Sequence, residues 1–128
     1  MLCIFALLSF SYLPSHTIVT RMNICEDIVN ESLKQGINPA LSVSIAFEES
    51  RFTNGALSNK GAIGPMQVIK KYWCPSSPAK CDKIKAGVSA IKYFLKKYKN
   101  DSKRALEGYA GKGARARAYA RRVFKKYT

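Results

Sequence analysis

Histidine is nearly absent from this chain, and its scarcity removes whole classes of chemistry. His16 is the only one in 128 residues. Imidazole-rich zinc centres and a Cys–His nucleophile pair both need a histidine at the reacting group. The four cysteines (Cys3, Cys25, Cys74, Cys81) also lack the paired short spacing of a zinc knuckle, so no metal site is expected. Glycine and proline are few, 8 and 5, which excludes collagen-like and low-complexity chains. No apolar run reaches the roughly 20 residues that a membrane-spanning helix needs. What remains is globular composition, 47% hydrophobic and 23% charged, in a length suited to one domain with a real core.

Acidic side chains are scarce too, 8 against 22 Lys and Arg, for a formal charge of +14. The excess is localised: residues 80–128 carry a net +13, and residues 1–79 a net +1. Such a field selects anionic partners: nucleic acid, anionic lipid or the acidic polymers of a cell envelope. The plainer alternative is a solvated helix face that keeps the protein soluble. No helix-turn-helix, zinc-finger or RNA-binding signature accompanies the charge, so nucleic acid is not expected.

Residues 1–13, MLCIFALLSFSYL, are apolar and end at Pro14. With small residues Ser9, Ser11 and Ser15 near a cut, residues 1–20 read as a secretory leader, and residues 21–128 as the domain. Against this, no Lys or Arg precedes the run, and the alternative is a segment that packs on the domain. Removal of the leader would take Cys3 with it. Cys74 and Cys81 flank the short turn PSSPAK, which a disulfide can close. Cys25 reads as a small buried hydrophobe, with pairing to Cys74 or Cys81 left open.

Helical spacing of Ile24, Cys25, Ile28, Val29 and Leu33 predicts a helix over residues 23–35, stopped by Gly36. Asn38-Pro39 opens the next, PALSVSIAFEES, apolar on nearly every side and therefore buried. Gly55, Gly61 and Gly64, with Asn54 and Asn59, mark residues 53–65 as an ordered loop, and a short helix is expected over Met66–Tyr72. Asp82 caps an amphipathic helix carrying Ile84, Val88, Ile91 and Leu95 on one face. Ser102 is expected to cap a helix ending near Gly111, and Ala114–Tyr127 forms the last. No strand alternation is visible. The fold class is all-α.

Glu48 and Glu49 close an otherwise apolar helix, where the dipole opposes negative charge and burial penalises it. Both effects favour the protonated acid, which near neutral pH can give a proton to a leaving-group oxygen. The bland reading is a solvent-exposed pair.

Context bears on that choice. Glu49-Ser50-Arg51-Phe52, followed by Ser58 and by Gly61-Ala62-Ile63-Gly64-Pro65-Met66-Gln67-Val68, resembles the signature of the soluble lytic transglycosylase family. These are lysozyme-like enzymes that cleave bacterial peptidoglycan. Pro65 stands where leucine is usual in the family. Ala105-Leu106-Glu107-Gly108-Tyr109-Ala110-Gly111 is similar to a further motif, one asparagine short, and Ala118–Val123 looks like the helix after it.

The resemblance implies a lysozyme-like single domain, a helical bundle with a substrate groove. It implies Glu49, rather than Glu48, as the catalytic acid/base, because Ser-x-Phe follows Glu49. It places Ser58, Gly64, Met66, Gln67 and Tyr109 at the saccharide, with alternatives in turns for Gly64 and in the core for Met66 and Tyr109. None of the remaining acids has a claim as a nucleophile, so the substrate's 2-acetamido group is expected to stabilise the cation, a known exception to the two-carboxylate rule. No cofactor is implied. Expected partners are peptidoglycan glycan strands and, through the basic third, anionic envelope polymers, met by a monomer exported to the periplasm, envelope or exterior or acting there for a phage. A goose-type lysozyme hydrolysing the same bond, and a non-catalytic basic binding module, are the competing readings.

Overall fold

In this computed structural model the described residues are 2–10, 12–55, 57–58, 60–74, 80–111 and 113–127. The expected turns at Asn59 and within residues 75–79, and the Ser11 end of the leader, lie outside them.

The fold is all-α around one helix. Helix α1 (Leu2–Leu7) and a 3-10 turn (Leu8–Phe10) precede α2 (Ser15–Gln35). The last starts eight residues earlier than the apolar spacing suggested, at a Pro14 whose fixed φ of −57° leads the chain into it. Gly36 ends it in the left-handed conformation (φ 73°), as glycine at that position does. Asn38 then caps α3 (Pro39–Ser50), its side chain accepting from the Ala40 N–H at 2.9 Å. Every residue from Leu41 to Ala46 is buried, and α1, α2 and α7 (Ala114–Tyr127) pack around α3. A helix wrapped this way draws its stability from burial, about 1.5–3 kcal/mol for each large apolar side chain removed from water.

Three residues of the segment read as a leader are buried in this chain. Cys3, Leu7 and Phe10 belong to the main core, and Cys3 is bridged to Cys25. The sequence reading offered Cys25 only Cys74 or Cys81. Those two instead bridge each other, as the short turn suggested, beside a small second core of Val68, Cys74 and Ala86.

Between α3 and the C-terminal helices lies a small antiparallel pair, β1 (Ala62–Ile63) and β2 (Val68–Ile69), with Ala62 opposite Ile69 and Ile63 opposite Val68. The helix expected over Met66–Tyr72 is therefore replaced. Gly64 (φ 77°) and Gln67 (φ 51°) turn the chain back on itself, and only Lys70–Trp73 is helical, as α4. Helix α5 (Lys83–Lys97) is capped by Asp82, and α6 (Ser102–Ala110) by Asp101 rather than Ser102. Aspartate at that place accepts the Arg104 N–H at 3.2 Å, one residue before the serine. Among the described residues no helix is long and apolar enough to cross a membrane.

Candidate active site at the end of α3

The site begins with a kink. After Ser50 the chain leaves α3 through two left-handed residues that are not glycine, Arg51 (φ 54°) and Phe52 (φ 65°). Such residues cost on the order of 1–3 kcal/mol each and persist only when their surroundings hold them. Here Phe52 is fully buried with its ring edge-on to Phe47 (6.2 Å between centroids). The Arg51 carbonyl accepts from Arg21 at 3.0 Å, and the Arg51 guanidinium lies over Phe47. The Glu-Ser-x-Phe string thus has a mechanical meaning: phenylalanine wedges the chain into a turn that halts α3 just past its carboxylates.

Serine supplies the next constraint. Ser50 Oγ donates to the Pro65 carbonyl at 2.6 Å and accepts from the Thr53 N–H at 3.1 Å. One residue on, the Met66 carbonyl accepts from the Tyr109 hydroxyl of α6. The β1–β2 turn is therefore held by two neighbouring carbonyls, one gripped from α3 and one from α6. Beneath it the Met66 side chain is fully buried against Gly87 of α5, where a Cβ would meet its sulfur at 2.5 Å. Glycine in mid-helix is explained by that close approach.

The two adjacent carboxylates sit in different surroundings. Glu48 is ion-paired with Arg122 Nε (2.7 Å) and Lys126 Nζ (3.0 Å) of α7. Burial opposes its ionisation, but the hydrogen bonds and charge of the two cations prevail and lower its pKa. Glu49 is pushed up to about 7, chiefly by burial. The Tyr119 hydroxyl, as a donor, pulls against that shift, and the negative charge of Glu48 adds to it. Tyr109 and Tyr119 are in turn pushed well above the phenol range, by burial first and then by the Glu49 charge. Two phenols and a carboxyl, each with a pKa raised by desolvation, thus share one neighbourhood. Tyr119 Oη has no fully formed hydrogen bond there.

The structure brings Glu49, Met66 and Tyr109 together through the β1–β2 turn. Met66 contributes its carbonyl, while its side chain belongs to the core. Gly64 makes the turn, and Gln67 folds back to donate from Nε2 to the Gly64 carbonyl at 3.0 Å. Ser58 is engaged within its own loop, its hydroxyl accepting from the N–H groups of Lys60 (3.2 Å) and Ala62 (3.0 Å). Among the described residues no group of three or more His, Cys, Asp or Glu could hold a metal ion.

Tyr119 and Ser50 fall within the motifs quoted above, but the sequence assigns neither a place at the site. Tyr119 was legible in principle: it is the one polar-tipped side chain on the buried Ala116, Ala120, Val123 face of a helix otherwise rich in Lys and Arg. Ser50 was not, because its partner is a backbone carbonyl 15 residues away.

A search of curated proteins finds none that matches the chain. A comparison with protein families does give a match, described as the transglycosylase SLT domain, over residues 27–128. That span runs from α2 to the last residue and contains the kink, the turn and both tyrosines, so the chain belongs to the transglycosylase SLT domain family.

Proposed function

We propose that the protein cleaves the MurNAc–GlcNAc β-1,4 bond of peptidoglycan as a lytic transglycosylase, with Glu49 as sole acid and base. Family membership supports action on peptidoglycan in general. The finer reading is carried by one observation, the buried Glu49 carboxyl held near pH 7 beside an ion-paired Glu48. An acid is most effective when its pKa lies near the working pH, because it can then both give and take a proton in one turnover.

In the first step Glu49 gives its proton to the bridging oxygen as the bond from that oxygen to muramic C1 breaks. The 2-acetamido oxygen of the same sugar closes on C1 and carries the positive charge. In the second step the Glu49 carboxylate takes the proton of the sugar's 6-hydroxyl, O6 forms its bond to C1, and the acetamido oxygen leaves. The product is a 1,6-anhydro ring, no water is consumed, and Glu49 ends protonated. Intramolecular attack by O6 has the high effective concentration of a tethered nucleophile. Ser58, Gly64, Gln67 and Tyr109, with the Met66 backbone, are the groups assigned to the saccharide, and the two disulfides suit an oxidising compartment outside the cytoplasm.

The test is Glu49→Gln on purified cell walls. Lysis is expected to vanish in a folded variant, while wild-type digests yield muropeptides lighter by one water than hydrolysis products. Lysis by folded Glu49→Gln would overturn the assignment. Reducing-end muropeptides alone would make the enzyme a hydrolase of the goose-lysozyme kind.

A further inference from the structure

We propose that the cavity at the opposite end of α3 from Glu49 binds a short acidic peptide with small apolar side chains. The choice of peptide rests on the peptidoglycan reading above, because the peptides that branch from wall glycans have that chemistry. The cavity measures about 550 Å³, within the range of small-ligand sites, and lies between the α2–α3 turn, the end of α5 and the start of α6. Glu49 is not among the residues that line it.

Three features set its chemistry. Lys92, Lys96 and Lys99 line one side, spaced so that they follow one another along the end of α5. Among the described residues none of these ammoniums is in an ion pair, and the cavity lining contains no carboxylate. Of the acids closest by, Asp101 is spent on capping α6 through the Arg104 N–H, and Glu31 accepts from Gln35 of the cavity lining at 2.8 Å. Lysines in a last helical turn also offset the helix dipole. Lys99 lies past the helix, however, in a left-handed turn (φ 53°) that keeps it with the other two at the cavity.

An apolar wall comes from Ile37 and Leu41 at the α2–α3 turn, continued by Leu95 of α5 among the lysines, with Asn100 and Ser102 offering polar groups. A simple phosphate polymer would use the cations and leave that wall idle. A peptide uses both, with carboxylates on the lysines, methyl groups on the apolar wall and its amides on the polar groups. From Lys92 to Lys96 the helical rise covers roughly 6 Å, the length of about two extended residues, and Lys99 lies past the helix end. A peptide seated here would hold the wall strand while α3 presents Glu49 at its other end.

The experiment is fluorescence anisotropy of a labelled Ala-Glu-Ala-Glu peptide with the full chain at physiological salt. Combined Lys92→Gln, Lys96→Gln and Lys99→Gln substitution is expected to weaken binding at least tenfold. The same charge change at exposed Lys60, Lys70 and Lys71 is expected to weaken it less than twofold. Gly-Glu-Gly-Glu should bind more weakly than the alanine peptide, and cleavage of a peptide-free glycan by the cavity variant should be unchanged. Equal losses in the two variants, equal binding of the glycine peptide, equal competition by a poly(glycerol phosphate), or no binding at all would each overturn the proposal. Peptide binding without any glycan cleavage by the wild-type chain would instead count against the function proposed above and leave this site standing.

Discussion

Glu49 should make the fold less stable as the pH rises through neutrality, and replacing it should remove that dependence. In the folded chain its pKa is about 7, against 4.5 for an ordinary glutamate. Below the ordinary value both folded and unfolded chains hold the proton, and the stabilisation linked to it is fully present. As the pH rises toward the folded value, the unfolded chain loses its proton first, and stability falls by roughly 1.4 kcal/mol per pH unit. Once the folded carboxyl ionises as well, the loss is complete, at roughly 3 kcal/mol. Glutamine keeps nearly the same shape and never ionises. Urea unfolding of wild type and Glu49→Gln, measured from pH 4.5 to pH 8, should therefore diverge by roughly 3 kcal/mol in favour of the variant at the alkaline end. Glu48 titrates in the opposite sense, since its lowered pKa contributes stability that disappears in acid, but it is present in both proteins and largely cancels in the difference. A stability difference that stays flat across this range would refute the burial of Glu49 and, with it, the physical basis for its role as an acid near neutral pH.

Ser50→Ala removes the donor to the buried Pro65 carbonyl and should cost about 1–3 kcal/mol by urea unfolding, with wall lysis reduced more than stability alone explains. Tyr119→Phe deletes a donor that lowers the Glu49 pKa, so the alkaline limb of the pH–rate profile should move to higher pH, and an unmoved limb would place the phenol away from the carboxyl. Joint replacement of Cys3 and Cys25 by serine opens a loop with a sequence separation of 22 and should lower stability by about 3 kcal/mol, measured against wild type with and without reductant.

The helices that the sequence made legible are those with strong local punctuation. Asn38-Pro39, Asp82, Gly36 and Gly111 each act on backbone within a few residues, so their effect needs no knowledge of the rest of the fold. The failures share the opposite property. Met66–Tyr72 looks helical by composition, but the backbone turn at Gly64–Gln67 is fixed by partners 15 and 43 residues away in Ser50 and Tyr109. The place of Cys3, Leu7 and Phe10 in the core is equally illegible, because it arises only from contacts with α2 and α3. At the site, Glu49 could be singled out from Glu48 only by resemblance. The physical difference between them arises from Arg122 and Lys126, more than 70 residues downstream, which pair with one and not the other.

The left-handed pair that ends α3 also sets how the chain tolerates change. Arg51 and Phe52 have nearly the same backbone conformation, yet they are replaceable in opposite ways. Arg51 is exposed, so glycine or asparagine there would relieve backbone strain and lose little more than its contact with Phe47. At Phe52 glycine would relieve the same strain while emptying a fully buried aromatic site, a loss of about 3–5 kcal/mol on the scale of large-to-small core substitutions. Neighbouring positions with one backbone sign thus divide the work, one tolerant of a small residue and the other confined to a bulky ring that holds the turn after the carboxylates.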